Sequence, residues 1–508
     1  MTIEIILGPP GTGKTTTLIN LVEEELNNGT KAERIGYVSF TRKAAGEATS
    51  RAQEKFGLTK KDFPYFSTLH SLCYHSLGVK DGDVLEGKSA VEFGKYAGVL
   101  VSGKTYSSDG NRMGFDFGDR IMFMENLARI RGVSLADQYR LDDDGLPWSE
   151  VDRVSRALKE YKYDQGLIDF TDMLANFVKS KVRIPIDVLL VDEAQDLSLM
   201  QWQVISQLAK GCRRVVVAGD DDQAIYRWAG ADVDHLIDMD GTVRVLGQSY
   251  RVPPAVQQVA NNVISPVKHR RDKLWAPRPG ADGSVEKAIQ FGQVQLPKTG
   301  SVLILARNDY VLREQVIGLL RHRGVVWEQY GRSSINLRLI AAARMWERLR
   351  RNESLAAAEV RCVYEFMTSG RGVKRGHKTL PGIEDDVTFK EGDLRALHGL
   401  IAPRAPWFEV LDRVPREDIQ YVRAALQSGE KLDGKPRVTL STIHSAKGGE
   451  ADHVIILKEM ASRTYNEMLS GKEGKLDDER RVWYVATTRA REKLTLVESK
   501  TMRKCPWL

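Results

Sequence analysis

Cysteine is scarce in this chain, with four residues in 508: Cys73, Cys212, Cys362 and Cys505. They form no Cys-x-x-Cys pair and have no His at zinc spacing, so neither a disulfide scaffold nor a zinc site is expected, and the thiols read as reduced and intracellular. Long apolar runs are missing as well. Nothing approaches the roughly 20 apolar residues of a spanning helix. The opening residues, MTIEIILGPP, lack the basic region and apolar run of a secretory leader. A soluble, cytoplasmic protein with no membrane partner is the expectation. Nor does one sign of charge dominate: 75 Lys and Arg stand against 68 Asp and Glu, a net +7. That balance permits a polyanionic partner without arguing for one. No repeat of fixed period and no low-complexity tract is visible.

Short apolar runs closed by polar loops recur at both ends of the chain. Ile3–Leu7, Ile35–Phe40, Val188–Asp192 and Arg214–Gly219 read as buried parallel strands, and Ser301–Ala306, Arg437–Ile443, His453–Leu457 and Lys493–Glu498 form a second set. Helical stretches lie between them, such as Thr15–Asn28 closed by Gly29. The fold class expected is therefore α/β, with two parallel-sheet domains. The first takes residues 1–75 and 161–250, and the second 251–340 and 433–508. Each carries an inserted accessory region, at 76–160 and at 341–432, the latter opening on the helix-like basic run RMWERLRRNESLAAAEVRCVYEFM.

The sequence GPPGTGKT, Gly8–Thr15, has the G-x-x-x-x-G-K-[ST] spacing between a strand and a helix. Gly11 and Gly13 let backbone N–H groups approach phosphates, Lys14 reaches the β- and γ-phosphates, and Thr15 holds magnesium. The candidate phosphate cradle is Gly8, Pro9, Pro10, Gly11, Thr12, Gly13, Lys14, Thr15 and Thr16. In LLVDEAQD, Asp192 and Glu193 end an apolar strand, where open α/β sheets place their ligands. Asp192 fits as a magnesium partner, because that ion wants oxygen ligands and keeps several waters. Glu193 is the candidate base that positions water. Asp196 reads as structural, since Ser198 and Gln201 offer a capping box. Hydrolysis also needs cations on the phosphates, and Arg251 and Arg489 are the candidates.

One further stretch is unusual. VVVAGDDDQAIYRWAGAD, Val215–Asp232, runs from an apolar strand through three aspartates to Gln223, Tyr226 and Trp228. Both rings are either core, or they face a flat ligand that tolerates neighbouring charge.

Taken in order, GPPGTGKT, VSFTRKAAGE, STLHSL, DFTDML, VDEAQD, GDDDQAIYRWAGAD, QSYR, STIHSAKGGEAD and ERRVWYVATTRAR resemble the motifs of superfamily 1 helicases of the UvrD/Rep/PcrA type. The resemblance implies two RecA-like motor domains, with ATP and Mg2+ in the cleft between them and mainly helical accessory insertions. It implies that Gln223 senses the γ-phosphate and that Arg251 and Arg489 act as arginine fingers. Glu450 would meet the ribose or metal region, and Tyr250 would lie against adenine. Single-stranded DNA, or a single-strand/duplex junction, would touch Phe40, Thr41, Thr68, His70, Tyr226, Trp228 and His444. The activity implied is ATP-dependent unwinding with 3′→5′ translocation, with a replication or repair protein as a further partner.

Three departures from that pattern carry expectations. Only seven residues precede Gly8, where relatives have an adenine-reading Gln, and Thr16 replaces a base-stacking Arg. Use of other nucleoside triphosphates is therefore expected. Ala229 stands for an arginine that couples DNA binding to hydrolysis, so either coupling is weaker or Arg227 substitutes. The short accessory parts suit a pared-down, phage-encoded member acting in the host cytoplasm. They also suit a translocase that strips proteins or needs a partner to unwind; an RNA helicase or a nucleotide-switched binding module are the remaining alternatives. The basic clusters Lys268–Lys273, Arg348–Arg351 and Arg371–Lys378 are either solvated faces or phosphate contacts.

Overall fold

Apolar β-branched runs that are buried on both faces pair in parallel and need helical crossovers to return the chain. The computed structural model, which describes residues 2–103, 116–141, 145–180 and 182–508, follows this logic twice. The first sheet contains β1 (Thr2–Leu7), β2 (Ile35–Ser39), β3 (Phe66–Thr68), β4 (Val188–Asp192), β5 (Arg214–Gly219) and β6 (Thr242–Val245), ordered β3-β2-β4-β5-β1-β6. All its pairings are parallel.

The second sheet contains β7 (Ser284–Ala288), β8 (Val302–Ala306), β9 (Trp327–Gln329) and β10 (Arg332–Ser333). A small antiparallel pair follows in the chain, β11 (Leu355–Ala356) with β12 (Thr388–Phe389). The sheet is completed by β13 (Val438–Thr442), β14 (Ala451–Leu457) and β15 (Ala490–Val497), in the order β10-β9-β13-β8-β14-β15-β7. Only the edge pair β9–β10 is antiparallel in it. The eight strands read from apolar runs all form. β3, β6, β7, β9, β10, β11 and β12 escape that reading because they are short or exposed.

The two regions expected as insertions differ in how they pack. In the first, helices Gly87–Ala97, Phe117–Arg131 and Trp148–Gln165 bury Phe93, Ile121, Met124, Val154 and Leu158 in a cluster of their own. Its segments 104–115 and 142–144 lie outside the described residues. The second has no separate cluster. Trp346, Tyr364 and Leu394 share one core with Val302, Ile304 and Leu440 of the sheet. Its basic run is two helices, Leu337–Arg350 and Ala357–Glu365, because Asn352 takes a left-handed φ of 64° just past the first. Among the described residues, no helix is long and apolar enough to cross a membrane.

Candidate nucleotide cleft and nucleic-acid face

The phosphate loop leaves β1 and enters the helix Lys14–Asn27. Gly11 and Gly13 have φ of 73° and 80°, which favour glycine. A side chain at Gly11 would also place its Cβ 2.4 Å from Cβ of Arg251. The loop therefore docks closely on the segment leading to the second sheet. Ser249 Oγ donates to Pro10 O at 2.7 Å and Tyr250 N to Gly11 O at 2.8 Å. Within the loop, Lys14 Nζ donates to Gly8 O at 2.9 Å and Thr12 Oγ1 to Pro9 O at 2.8 Å.

Asp192 closes β4 and is fully buried. Thr15 Oγ1 donates to its Oδ2 at 3.2 Å and Tyr37 Oη to the same atom at 2.6 Å. Burial, then the charge of Glu193, pushes the Asp192 carboxyl up to about 6. A buried carboxylate beside a hydroxyl is an all-oxygen pair of the kind magnesium accepts, leaving the rest of its shell to water and phosphate. Glu193 follows in a left-handed conformation, φ 54°, uncommon without glycine and typical of functional strain. Its N–H donates to Asp192 Oδ1 at 2.9 Å, and Gln195 Nε2 donates to its Oε2 at 2.5 Å. Burial raises the Glu193 carboxyl, but Lys14, Lys447, Gln195 and Arg489 outweigh it and hold the group ionised, below its ordinary value.

The second sheet supplies the other wall. Arg489 is 1% exposed, and its Nη2 donates to Gln223 Oε1 at 2.9 Å. Burial and the neighbouring Arg251 push the Arg489 guanidinium down to about 9. Arg251 Nε donates to Glu450 Oε2 at 2.5 Å, and Arg491 pairs with the other oxygen at 3.2 Å. Tyr250 is 66% exposed, and Thr16 Oγ1 accepts from Arg51 at 3.2 Å.

The expected DNA-facing residues fall into two groups. Phe40 and Tyr226 stack with centroids 5.6 Å apart, Tyr226 Oη donates to His444 O at 3.2 Å, and Trp228 stands edge-on to His444 at 6.4 Å and 6.3 Å from Phe123. Trp228 and His444 line a cavity of about 970 Å³ together with Arg131, Arg307 and Asn466. Among the described residues, the buried Trp228 indole N–H has no hydrogen-bond partner. The other group sits on helix starts. Thr41 and Thr68 accept from Ala44 N and Ser71 N as N-caps, and His70 lies edge-on to Phe170 at 5.9 Å.

Two model matches decide the family. Residues 2–244 match the UvrD/REP helicase N-terminal domain, and residues 417–501 match the UvrD-like helicase C-terminal domain. The chain belongs to the UvrD-like helicases.

Among its relatives, DNA helicase II of Escherichia coli is 25% identical over 612 residues, covering 98% of this chain and 82% of that protein. ATP-dependent DNA helicase PcrA of Bacillus subtilis is 25% identical over 287 residues, covering 53% and 39%. ATP-dependent DNA helicase srs2 of Schizosaccharomyces pombe is 23% identical, covering 98% and 70%.

Within this UvrD-like frame, several charged residues serve partners that spacing alone does not announce. Asp196, besides the Ser198–Gln201 capping box that does form, pairs with Lys447 at 2.5 Å. Lys447 lies inside the STIHSAKGGEAD motif, and that membership was the one signal available for it. Arg227 is held by Asp234 at 3.3 Å and Asp478 at 3.5 Å. Of the Lys268–Lys273 cluster, Arg270 pairs with Asp222 and the buried Lys273 with Asp220, Asp221 and Asp222, so these two bind carboxylates and not phosphates. Arg348 pairs with Glu353 and Glu359, Arg350 with Glu347 and Arg351 with Glu353. Arg371, Lys374 and Arg375 are exposed.

Proposed function

We propose that this UvrD-like helicase uses ATP to move 3′→5′ along single-stranded DNA and to separate duplex strands. The observation that carries the reading is one short loop. Gln223 stands in the nucleotide cleft, bonded to Arg489, and three residues later Tyr226 is stacked on Phe40 beside Trp228. Nucleotide chemistry and a flat aromatic surface are thus joined by a few bonds of backbone.

In the hydrolysis step, Glu193 orients the attacking water, and Lys14, Arg251 and Arg489 balance charge as it builds on the phosphates. Thr15 and Asp192 would hold magnesium, which would supply further charge neutralisation when bound. Glu450 keeps Arg251 aimed, and Tyr250 offers its ring to the base. Unstacked bases rest on Phe40, Tyr226 and Trp228, each stack contributing about 1–3 kcal/mol. Opening a duplex step costs about 1.4 kcal/mol, so one stack holds one melted base. The motor domains are taken as 1–75 with 161–250 and 251–340 with 433–508.

The test is strand displacement on duplexes bearing a 3′ or a 5′ single-stranded tail, with Glu193→Gln as the blank and hydrolysis followed in parallel. Unwinding from the 3′ tail alone, lost in the blank, is expected. A second reading is a translocase that needs a partner to unwind, favoured by the second insertion's lack of a core of its own. DNA-stimulated hydrolysis without displacement from either tail would select it.

A further inference from the structure

Lys447 sits at a junction that neither the phosphate chemistry nor the stacking surface explains alone. Its side chain is 10% exposed, and its ammonium makes contacts at 2.7 and 2.5 Å to Asp196 Oδ1 and Oδ2 and at 2.7 Å to Gln223 O. An ammonium has three donors, and these acceptors occupy them. The same Nζ lies 5.2 Å from the centroid of Tyr226, on a ring whose partner is Phe40. Cation–ring attraction strengthens where water is excluded.

The acceptors belong to different parts of the motor. Asp196 ends the turn that begins with Glu193, and Gln223 is the residue whose side chain takes the Arg489 bond. Lys447 itself rides on the loop after β13, where His444 O accepts from Tyr226, Gly449 O accepts from Arg489 and Glu450 pairs with Arg251. A displaced Tyr226 ring, or a loop shifted relative to the first sheet, must break a Lys447 contact.

We infer that Lys447 is a positioning residue that transmits the state of the aromatic surface to the Gln223–Arg489 pair, and so couples DNA binding to hydrolysis. The inference rests on the helicase reading above. It gives a route that does not need Arg227 in place of the arginine missing at Ala229; the Arg227 guanidinium is bound to Asp234 and Asp478. The link runs through Tyr226, Lys447 and the Gln223 backbone instead.

The test uses the full chain and reads a ratio: the ATP hydrolysis rate with an oligothymidine divided by the rate without it. KM for ATP and oligothymidine affinity, by anisotropy, are measured alongside. Lys447→Met is expected to lower the ratio about tenfold, a magnitude usual for coupled sites, while KM and DNA affinity move by less than about threefold. Lys447→Arg keeps the charge and donors and should restore part of the ratio, which a purely structural role does not require. Asp196→Asn, which leaves Lys447 in place but weakens its anchor, should lower the ratio in the same direction and serves if Lys447→Met folds poorly. Equal loss of both rates, or an unchanged ratio in both variants, overturns the link. An unaltered chain that binds oligothymidine but hydrolyses ATP no faster with it overturns the helicase reading itself, and this inference with it.

Discussion

Arg489 reaches from the second sheet to donate its Nη2 to Oε1 of Gln223 at 2.9 Å, with its Nε and Nη1 held by Val485 O and Gly449 O. A guanidinium fixed at three edges has its orientation set before any phosphate arrives, which limits the reorganisation left for the reaction. Arg489→Ala should therefore reduce the maximal ATP hydrolysis rate by about 10³ to 10⁵. Arg489→Lys should recover little of that, because an ammonium cannot span the same planar set. Steady-state kinetics with saturating ATP and oligothymidine check both. A fall smaller than tenfold in the alanine variant would remove Arg489 from the reaction.

Base selectivity should be weak. The group beside the loop that can meet a base is the exposed ring of Tyr250, and the Thr16 hydroxyl is engaged by Arg51. A ring reads the flat face common to all bases, whereas discrimination needs directed hydrogen bonds. GTP and ATP are expected to give kcat/KM values within about tenfold of each other, since a stack alone supplies little discrimination. Strict ATP dependence would show that a group elsewhere pairs with adenine.

The phosphate loop, Asp192 and Glu193 were legible in the sequence because each spacing carries its own mechanism: backbone donors, a strand end, an acid next to an acid. The cross-cleft ion pairs were not. Asp196 and Lys447 are 251 residues apart, and Lys273 meets its aspartates over 51 to 53 residues. Only the packed chain brings them together. The Lys268–Lys273 run reads as a surface or phosphate cluster because a charge run says nothing about buried carboxylates nearby. Thr41 and Thr68 illustrate a different limit. A threonine one residue before a helix is also a good N-cap, and both hydroxyl oxygens serve that way.

His453 gives a stability prediction away from the cleft. It is 4% exposed, bonded to Thr495 at 2.8 Å, and burial, then Lys493, pushes its imidazole down to about 4. The unfolded chain protonates it near 6.5, so unfolding takes up a proton between about 6.5 and 4. Stability from this residue is fully present above that window and falls as pH drops through it, by at most about 1.4 kcal/mol per pH unit. His453→Gln should flatten the pH dependence of the urea midpoint over that window relative to the unaltered chain. Parallel curves for the two proteins would place the titration elsewhere.

Trp228 distinguishes a stacking surface from core packing. Its indole N–H is buried without a partner among the described residues, on the wall of the 970 Å³ cavity it shares with His444. Such a group is costly unless something completes it, and a DNA base or phosphate oxygen is an acceptor of the right kind. Trp228→Ala should weaken binding of a labelled oligothymidine by about 1–3 kcal/mol, a factor of roughly five to 150. Trp228→Phe keeps a ring and loses the donor, so it should fall between the two. If the ring is only core, the alanine variant loses thermal stability while the affinity of its folded fraction stays the same. The two readings thus separate on affinity, and the intermediate position of the phenylalanine variant assigns part of the loss to the N–H.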